Sequence, residues 1–259
     1  MSDKSYDLNK LFEFFEYWKK HTHPTEFYNE GWLLKVLVYA ITDFGKIKHP
    51  LYVNKNEEFF SEGLLTSPFL KNGKIKRLAE SHTHADGAIG NFEIGNAKNK
   101  GLLKLTGNKL NIFEAKINSG FSKGVTNAPG YNQAARYVAC IVETVEKAGK
   151  LKTLDDLSLG FYLMVPEEQF NIKKSFEKFL KEDHILKTVK KRVDQYKDED
   201  DYIKRIDWFD TKFKPALEQL EIEHLFYEDV IEKLEGYKYY NEIKSFYKLC
   251  NDFNGSKKK

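Results

Sequence analysis

"ESHTHADGAIGNFEIG", residues 80–95, admits two readings, and the choice between them sets the fold. In the first, His82, His84 and Asp86 are zinc ligands, two imidazoles and a carboxylate in an H-x-H-x-D spacing. In the second, Asp86 alone carries the chemistry and opens a strand, "DGAIGNFEI", whose partner lies downstream.

A partner is found in "LNIFEAKI", residues 110–117. Side chains two apart on a strand point the same way, so Leu110, Ile112, Glu114 and Lys116 share one face. If the two strands are neighbours, Asp86 and Glu114 can share one divalent cation while Lys116 reaches a scissile phosphate or its attacking water. Phosphodiester hydrolysis needs that combination: hard oxygen ligands for Mg²⁺ or Mn²⁺, and a cation beside the nucleophile. Asp210-Thr211-Lys212 and Glu242-Ile243-Lys244 repeat the acidic-x-Lys pattern. Both lie in charged helical sequence, where positions i and i+2 diverge around the axis.

The surrounding sequence predicts an α/β order. Residues 7–21 and 25–45 have helical apolar spacing, with Asp7 and Thr25 as N-caps and Gly45 as a stop. Residues 46–80, with Pro50, Pro68 and the turn "KNGK", receive no element. Three strands follow: "DGAIGNFEI", "GLLKL" (101–105) and "NKLNIFEAKI" (108–117), the last two joined through a hairpin turn at "TGN" (106–108). "APGYNQAARYVACIVETVEKAG" (128–149) reads as a helix, with Pro129 in its first turn and Gly149 at its end. "LSLGFYLMVP" (157–166) has the form of a buried strand. Charged helical sequence follows, with a short strand at 222–226 and a terminal tail "GSKKK".

Asp86, the 28-residue step to Glu114-Ala115-Lys116, and Gln133-x-x-x-Tyr137 on the next helix resemble the PD-(D/E)xK nuclease superfamily, in the form that carries a Q-x-x-x-Y helix motif. The resemblance covers roughly residues 25–166 and extends to an αβββαβ core; Ala85 stands where the proline of the motif would be. It implies a restriction-endonuclease-like α/β fold with a mixed central sheet flanked by helices, within a chain divided into an N-terminal helical extension (1–24), the nuclease core (25–166) and a mostly helical C-terminal region (167–259). It implies metal-dependent cleavage of nucleic acid, DNA before RNA, with Asp86, Glu114 and the Ala115 carbonyl as ligands to Mg²⁺ or Mn²⁺ and Lys116 as the catalytic cation. Gln133 and Tyr137 would face the carboxylates, and Glu30, at the start of the preceding helix, would be a further carboxylate of the site. The segment 119–129, "SGFSKGVTNAP", would form part of the cleft wall.

Two other readings stay open. A member of the same fold can serve as an inactive nucleic-acid-binding or scaffold module. A zinc hydrolase could use the H-x-H-x-D stretch, which is similar to the H-x-H-x-D-H signature of metallo-β-lactamases; here Gly87 replaces the last histidine, "KIKRLAE" precedes the motif in place of an apolar strand, and the next histidine is His184.

Composition bounds all three. The chain has 259 residues, 41% hydrophobic and 15% aromatic, enough to bury a full core. Two cysteines, Cys140 and Cys250, are too few for an iron–sulfur cluster and are expected to be reduced and partly buried. With no run of eighteen apolar residues and no apolar core in "MSDKSYDLNK", the expectation is a cytoplasmic protein with no membrane role. The net charge of +3 divides into +5 over residues 1–150 and −2 over 151–259, so the basic bias lies with the motif and is compatible with a polyanionic substrate. A homodimer is compatible with the same features.

Overall fold

The structure, a computed structural model, describes residues 7–70, 77–95 and 100–255. In chain order it contains α1 (Leu8–Trp18), α2 (Glu30–Phe44), β1 (Glu58–Leu65), β2 (Thr83–Ile94), β3 (Leu103–Ala115), a two-residue-strand hairpin β4 (Gly124–Val125) and β5 (Ala128–Pro129), α3 (Gln133–Lys147) and β6 (Ser158–Val165). A helical stretch follows: α4 (Glu167–Ile172), α5 (Ser175–Leu180), α6 (Glu182–Asp194), α7 (Tyr202–Trp208) and α8 (Lys214–Gln219). The chain then returns to the sheet as β7 (Glu221–Phe226) and ends with α9 (Tyr227–Glu232) and α10 (Tyr240–Asn254).

Five strands form one open mixed sheet in the order β1-β2-β3-β6-β7. The first three are an antiparallel meander, while β3–β6 and β6–β7 are parallel. A parallel return needs a crossover segment, which α3 supplies before β6 and the helices from α4 to α8 supply before β7. All of β6 beyond Ser158 is buried, which explains why "LGFYLMV" is a continuous apolar run with no alternation.

Alternation along β3 separates two cores. Leu110 and Ile112 face α3 in one cluster, with Val138, Ile141 and Val142; Phe113 and Ala115 face α2 in the other, with Leu33, Leu34 and Leu37. Each of these fully buried large apolar side chains contributes about 1.5–3 kcal/mol through removal from water. Helices thus cover both faces of the sheet. The C-terminal helix α10 packs on α2 and on the segment just before it, where Phe246 meets Tyr28, so sequence beyond residue 166 contributes to the second core.

Several expectations need correction. The "TGN" hairpin is absent: β3 runs unbroken through residues 106–108, paired with β2 on either side of a register shift at Gly90/Phe92. That bulge replaces the turn. The Asn91 side chain accepts hydrogen bonds from the amides of Asn108 and Lys109 at 3.2 and 3.1 Å, and a Cβ on Gly90 would lie 2.0 Å from the Lys109 carbonyl oxygen. The third strand is instead β1, in the stretch to which the sequence assigned nothing. It was obscured because only Gly63 and Leu65 of its eight residues are buried, too few to leave an apolar alternation. The second helix starts at Glu30 and is capped by Asn29, whose Oδ1 accepts from the Trp32 amide at 3.0 Å; Thr25 lies in a short 3₁₀ turn before it. Similarly α3 starts at Gln133 under an Asn132 cap, and Pro129 belongs to β5. Strand β2 begins at Thr83, ahead of Asp86. The "KNGK" turn, residues 71–74, and the last four residues of the tail lie outside the described residues. Among those described, no helix is long and apolar enough to cross a membrane, and both cysteines are buried and unpaired as thiols.

Candidate active site

The pairing of β2 with β3 runs Gly87↔Phe113 and Ala88↔Ile112, so Asp86 and Glu114 come next, side by side at one end of the strand pair. The Ala115 amide donates to Asp86 Oδ2 at 2.7 Å, which fixes the aspartate against the residue that follows Glu114. Lys116 and Glu114 both act on the Asp86 carboxyl and favour its ionised form. Of the Ala115 peptide, it is the amide whose partner in the site is Asp86.

Glu114 is 1% exposed and held from three sides. Lys116 Nζ donates to its Oε1, Gln133 Nε2 donates to the same oxygen at 2.6 Å, and the Tyr137 hydroxyl lies 2.5 Å from Oε2. That hydroxyl is also 2.5 Å from the His84 carbonyl oxygen. One phenolic proton cannot serve both acceptors at once, so the hydroxyl donates either to Glu114 or to the His84 carbonyl. Burial, and next the adjacent Asp86, push the Glu114 carboxyl up to about 7 against the pull of Lys116 and Tyr137. Burial also raises Asp86, opposed by the Ala115 amide and Lys116.

Gln133 and Tyr137, one turn apart, project from one side of α3. The cap that starts α3 sets their height: Asn132 Oδ1 accepts from the Ala135 amide at 3.1 Å, placing Gln133 in the first turn beside Glu114. Gln133 also bonds the loop ahead of the hairpin, since the Ser122 amide donates to its Oε1 at 3.2 Å and its own amide donates to the Ser122 carbonyl at 3.1 Å. Thus one side chain ties the carboxylate to the 119–129 segment.

A cavity of about 570 Å³ opens over these groups. Asp86, Glu114, Lys116, Gln133 and Tyr137 form its floor; Thr126 and Asn127 of the β4–β5 turn, with His82 and His84, form its walls. The wall is anchored from behind by Arg192 of α6, fully buried, which bonds Glu80 Oε1 at 2.8 Å, the Leu78 carbonyl, and the Asn127 carbonyl at 3.3 Å. Asn127 Nδ2 in turn donates to the Ala79 carbonyl at 2.9 Å.

Glu30 opens α2 and does not line the cavity, although Lys116 and Asp86 both influence its carboxyl, which burial raises. A close approach brings it there: a Cβ on Gly87 would lie 2.8 Å from Leu34 Cδ2, so α2 packs directly against the strand beside Asp86. His82 precedes β2, and His84 is exposed, with Nδ1 3.9 Å from Glu62. Among the described residues, no three His, Cys, Asp or Glu side chains gather in a group able to hold a metal ion. Arg136, the third cavity-facing residue of α3, carries no family spacing and was missed by the sequence reading; its only signal was position, three after Gln133.

No protein-family model, curated protein or solved structure matches the chain.

Proposed function

We propose that the protein is a metal-dependent nuclease of the PD-(D/E)xK type, with a restriction-endonuclease-like core, that hydrolyses phosphodiester bonds of nucleic acid. The observation that carries this reading is the meeting of Asp86, Glu114, Lys116 and Gln133 at one end of adjacent strands, on the floor of a cavity.

The donor set suits Mg²⁺ or Mn²⁺. Both side chains offer hard oxygen, and an octahedral Mg²⁺ bound by one or two carboxylates completes its shell with water and substrate phosphate, so no third protein carboxylate is required. Two desolvated neighbouring carboxyl groups, both displaced toward the neutral form, are the arrangement that a divalent cation relieves. When bound there, the cation would lower the pKa of a coordinated water and neutralise charge developing on the phosphate.

The chain's own groups divide the remaining work. Asp86 and Glu114 would hold the cation, and the Ala115 amide and Tyr137 orient the two carboxyl groups. Lys116 provides positive charge beside the attacking water and the non-bridging oxygens, where charge accumulates in the transition state. Gln133 positions Glu114 and the loop that borders the substrate.

The test is cleavage of single- and double-stranded DNA and RNA with Mg²⁺, Mn²⁺ or EDTA. Cleavage that requires the cation and is lost in Lys116→Ala supports the proposal. Cleavage undiminished in that variant, or no cleavage of any substrate by the parent, would refute it.

A further inference from the structure

Arg136 lines the same cavity as Asp86, Glu114 and Lys116. It stands three residues after Gln133 and so presents to the same side of α3, displaced by about 4.5 Å along the axis at 1.5 Å per residue. Among the described residues its guanidinium makes no ion pair within 4.0 Å, and its Nε is buried with no hydrogen-bond partner. Its charge is felt by Glu80, but that carboxylate is already bound by Arg192 at 2.8 Å and by Ser67 at 3.2 Å. A half-buried arginine without a counter-ion, beside an acidic centre and on a cavity wall, is poised for an anion supplied from outside. Lys116 is committed to Glu114, so the two cations of the cavity are not equivalent.

We propose that Arg136 binds the phosphate next to the scissile one and so holds the substrate strand in register over the carboxylates. This rests on the nuclease reading above. It assigns the cavity a second phosphate subsite, one helical turn along α3 from the reaction centre, and makes Arg136 a binding residue with no part in bond cleavage. The planar fork of arginine can engage two phosphate oxygens together; lysine at the same place provides only a point charge.

The experiment compares parent, Arg136→Gln and Arg136→Lys in steady-state cleavage of a short labelled oligonucleotide, and in binding of the same oligonucleotide as salt is varied. For Arg136→Gln the expected results are a KM raised about tenfold, the size of one lost hydrogen bond to a charged group, a kcat within about twofold of the parent, and a salt-dependence slope reduced by about 0.7–0.9. Arg136→Lys should restore the slope and recover only part of the KM. A parent that cleaves while Arg136→Gln keeps its KM and slope overturns this inference and leaves the nuclease reading standing. A fall in kcat at unchanged KM also overturns it, by assigning Arg136 to the reaction centre. A parent that neither cleaves nor binds the oligonucleotide overturns both.

Discussion

The amide of Ala115 points at Asp86 Oδ2 across 2.7 Å, so the residue following Glu114 grips the carboxylate that faces Glu114. Asp86 is therefore held by the backbone of β3, and Glu114 by the side chains of Lys116, Gln133 and Tyr137. Their titration and their stability effects follow from that constraint.

Glu114 holds its proton up to about 7 in the folded protein, against 4.5 for an ordinary glutamate. Between those values the folded state binds more protons than the unfolded chain, so this group's stabilising contribution is full below pH 4.5 and is lost as pH rises through 7. Glu114→Gln removes the dependence. Melting temperatures in EDTA should show the variant gaining on the parent as pH is raised from about 5 to 8. A constant difference across that range would mean that Glu114 titrates normally.

A divalent cation that binds the native site and not the unfolded chain should stabilise the parent by about 2.7 kcal/mol at a hundredfold excess over its dissociation constant. The shift should be larger at pH 8 than at pH 6, because the ligand must first lose its proton. Asp86→Asn keeps an acceptor for the Ala115 amide but loses charge, so it should be inactive, at least as stable as the metal-free parent, and insensitive to added Mn²⁺. Equal Mn²⁺ shifts in parent and variant, read from melting curves, would place the ion elsewhere.

Gln133→Ala removes the amide that orients Glu114 and the bond to Ser122. Outer groups of this kind are worth about 10- to 100-fold in activity, and the stability cost should stay near 1 kcal/mol, typical of one hydrogen bond. A large drop in melting temperature with unchanged turnover would assign the residue to packing.

Tyr137→Phe takes away a donor that favours ionised Glu114. The pH–rate profile should move to higher pH on its acid side, with maximal turnover largely kept. An unmoved profile would show that Tyr137 bonds His84 alone.

Breaking the buried pair behind the cavity wall should be costly in a different way. Glu80→Ala leaves the Arg192 guanidinium buried and uncompensated, a loss of about 3–5 kcal/mol, readable by denaturant titration. A cost below about 1 kcal/mol would mean that the wall is not held by this contact.

The site was legible where it rests on local geometry. Period-two alternation along β3 and the i, i+4 step on α3 are short-range facts, and they brought Glu114, Lys116, Gln133 and Tyr137 onto the floor of one cavity. The strand count was not legible. Residues 106–108 spell a turn, and only the long-range bonds from Asn91 show that the chain passes straight through. Arg192 and Glu80 are 112 positions apart, and no pattern in charged helical sequence marks which arginine will be buried. Glu30 was placed by helix position alone; it does not line the cavity, yet Lys116 and Asp86 both act on its carboxyl.

The central claim is that Asp86 and Glu114 share one divalent cation, and anomalous scattering from crystals soaked in Mn²⁺ tests it most directly. The account predicts a peak at about 2.0–2.2 Å from a carboxylate oxygen of each residue, absent in Glu114→Gln crystals treated alike. A peak at His82 and His84 with none between the two carboxylates would contradict it.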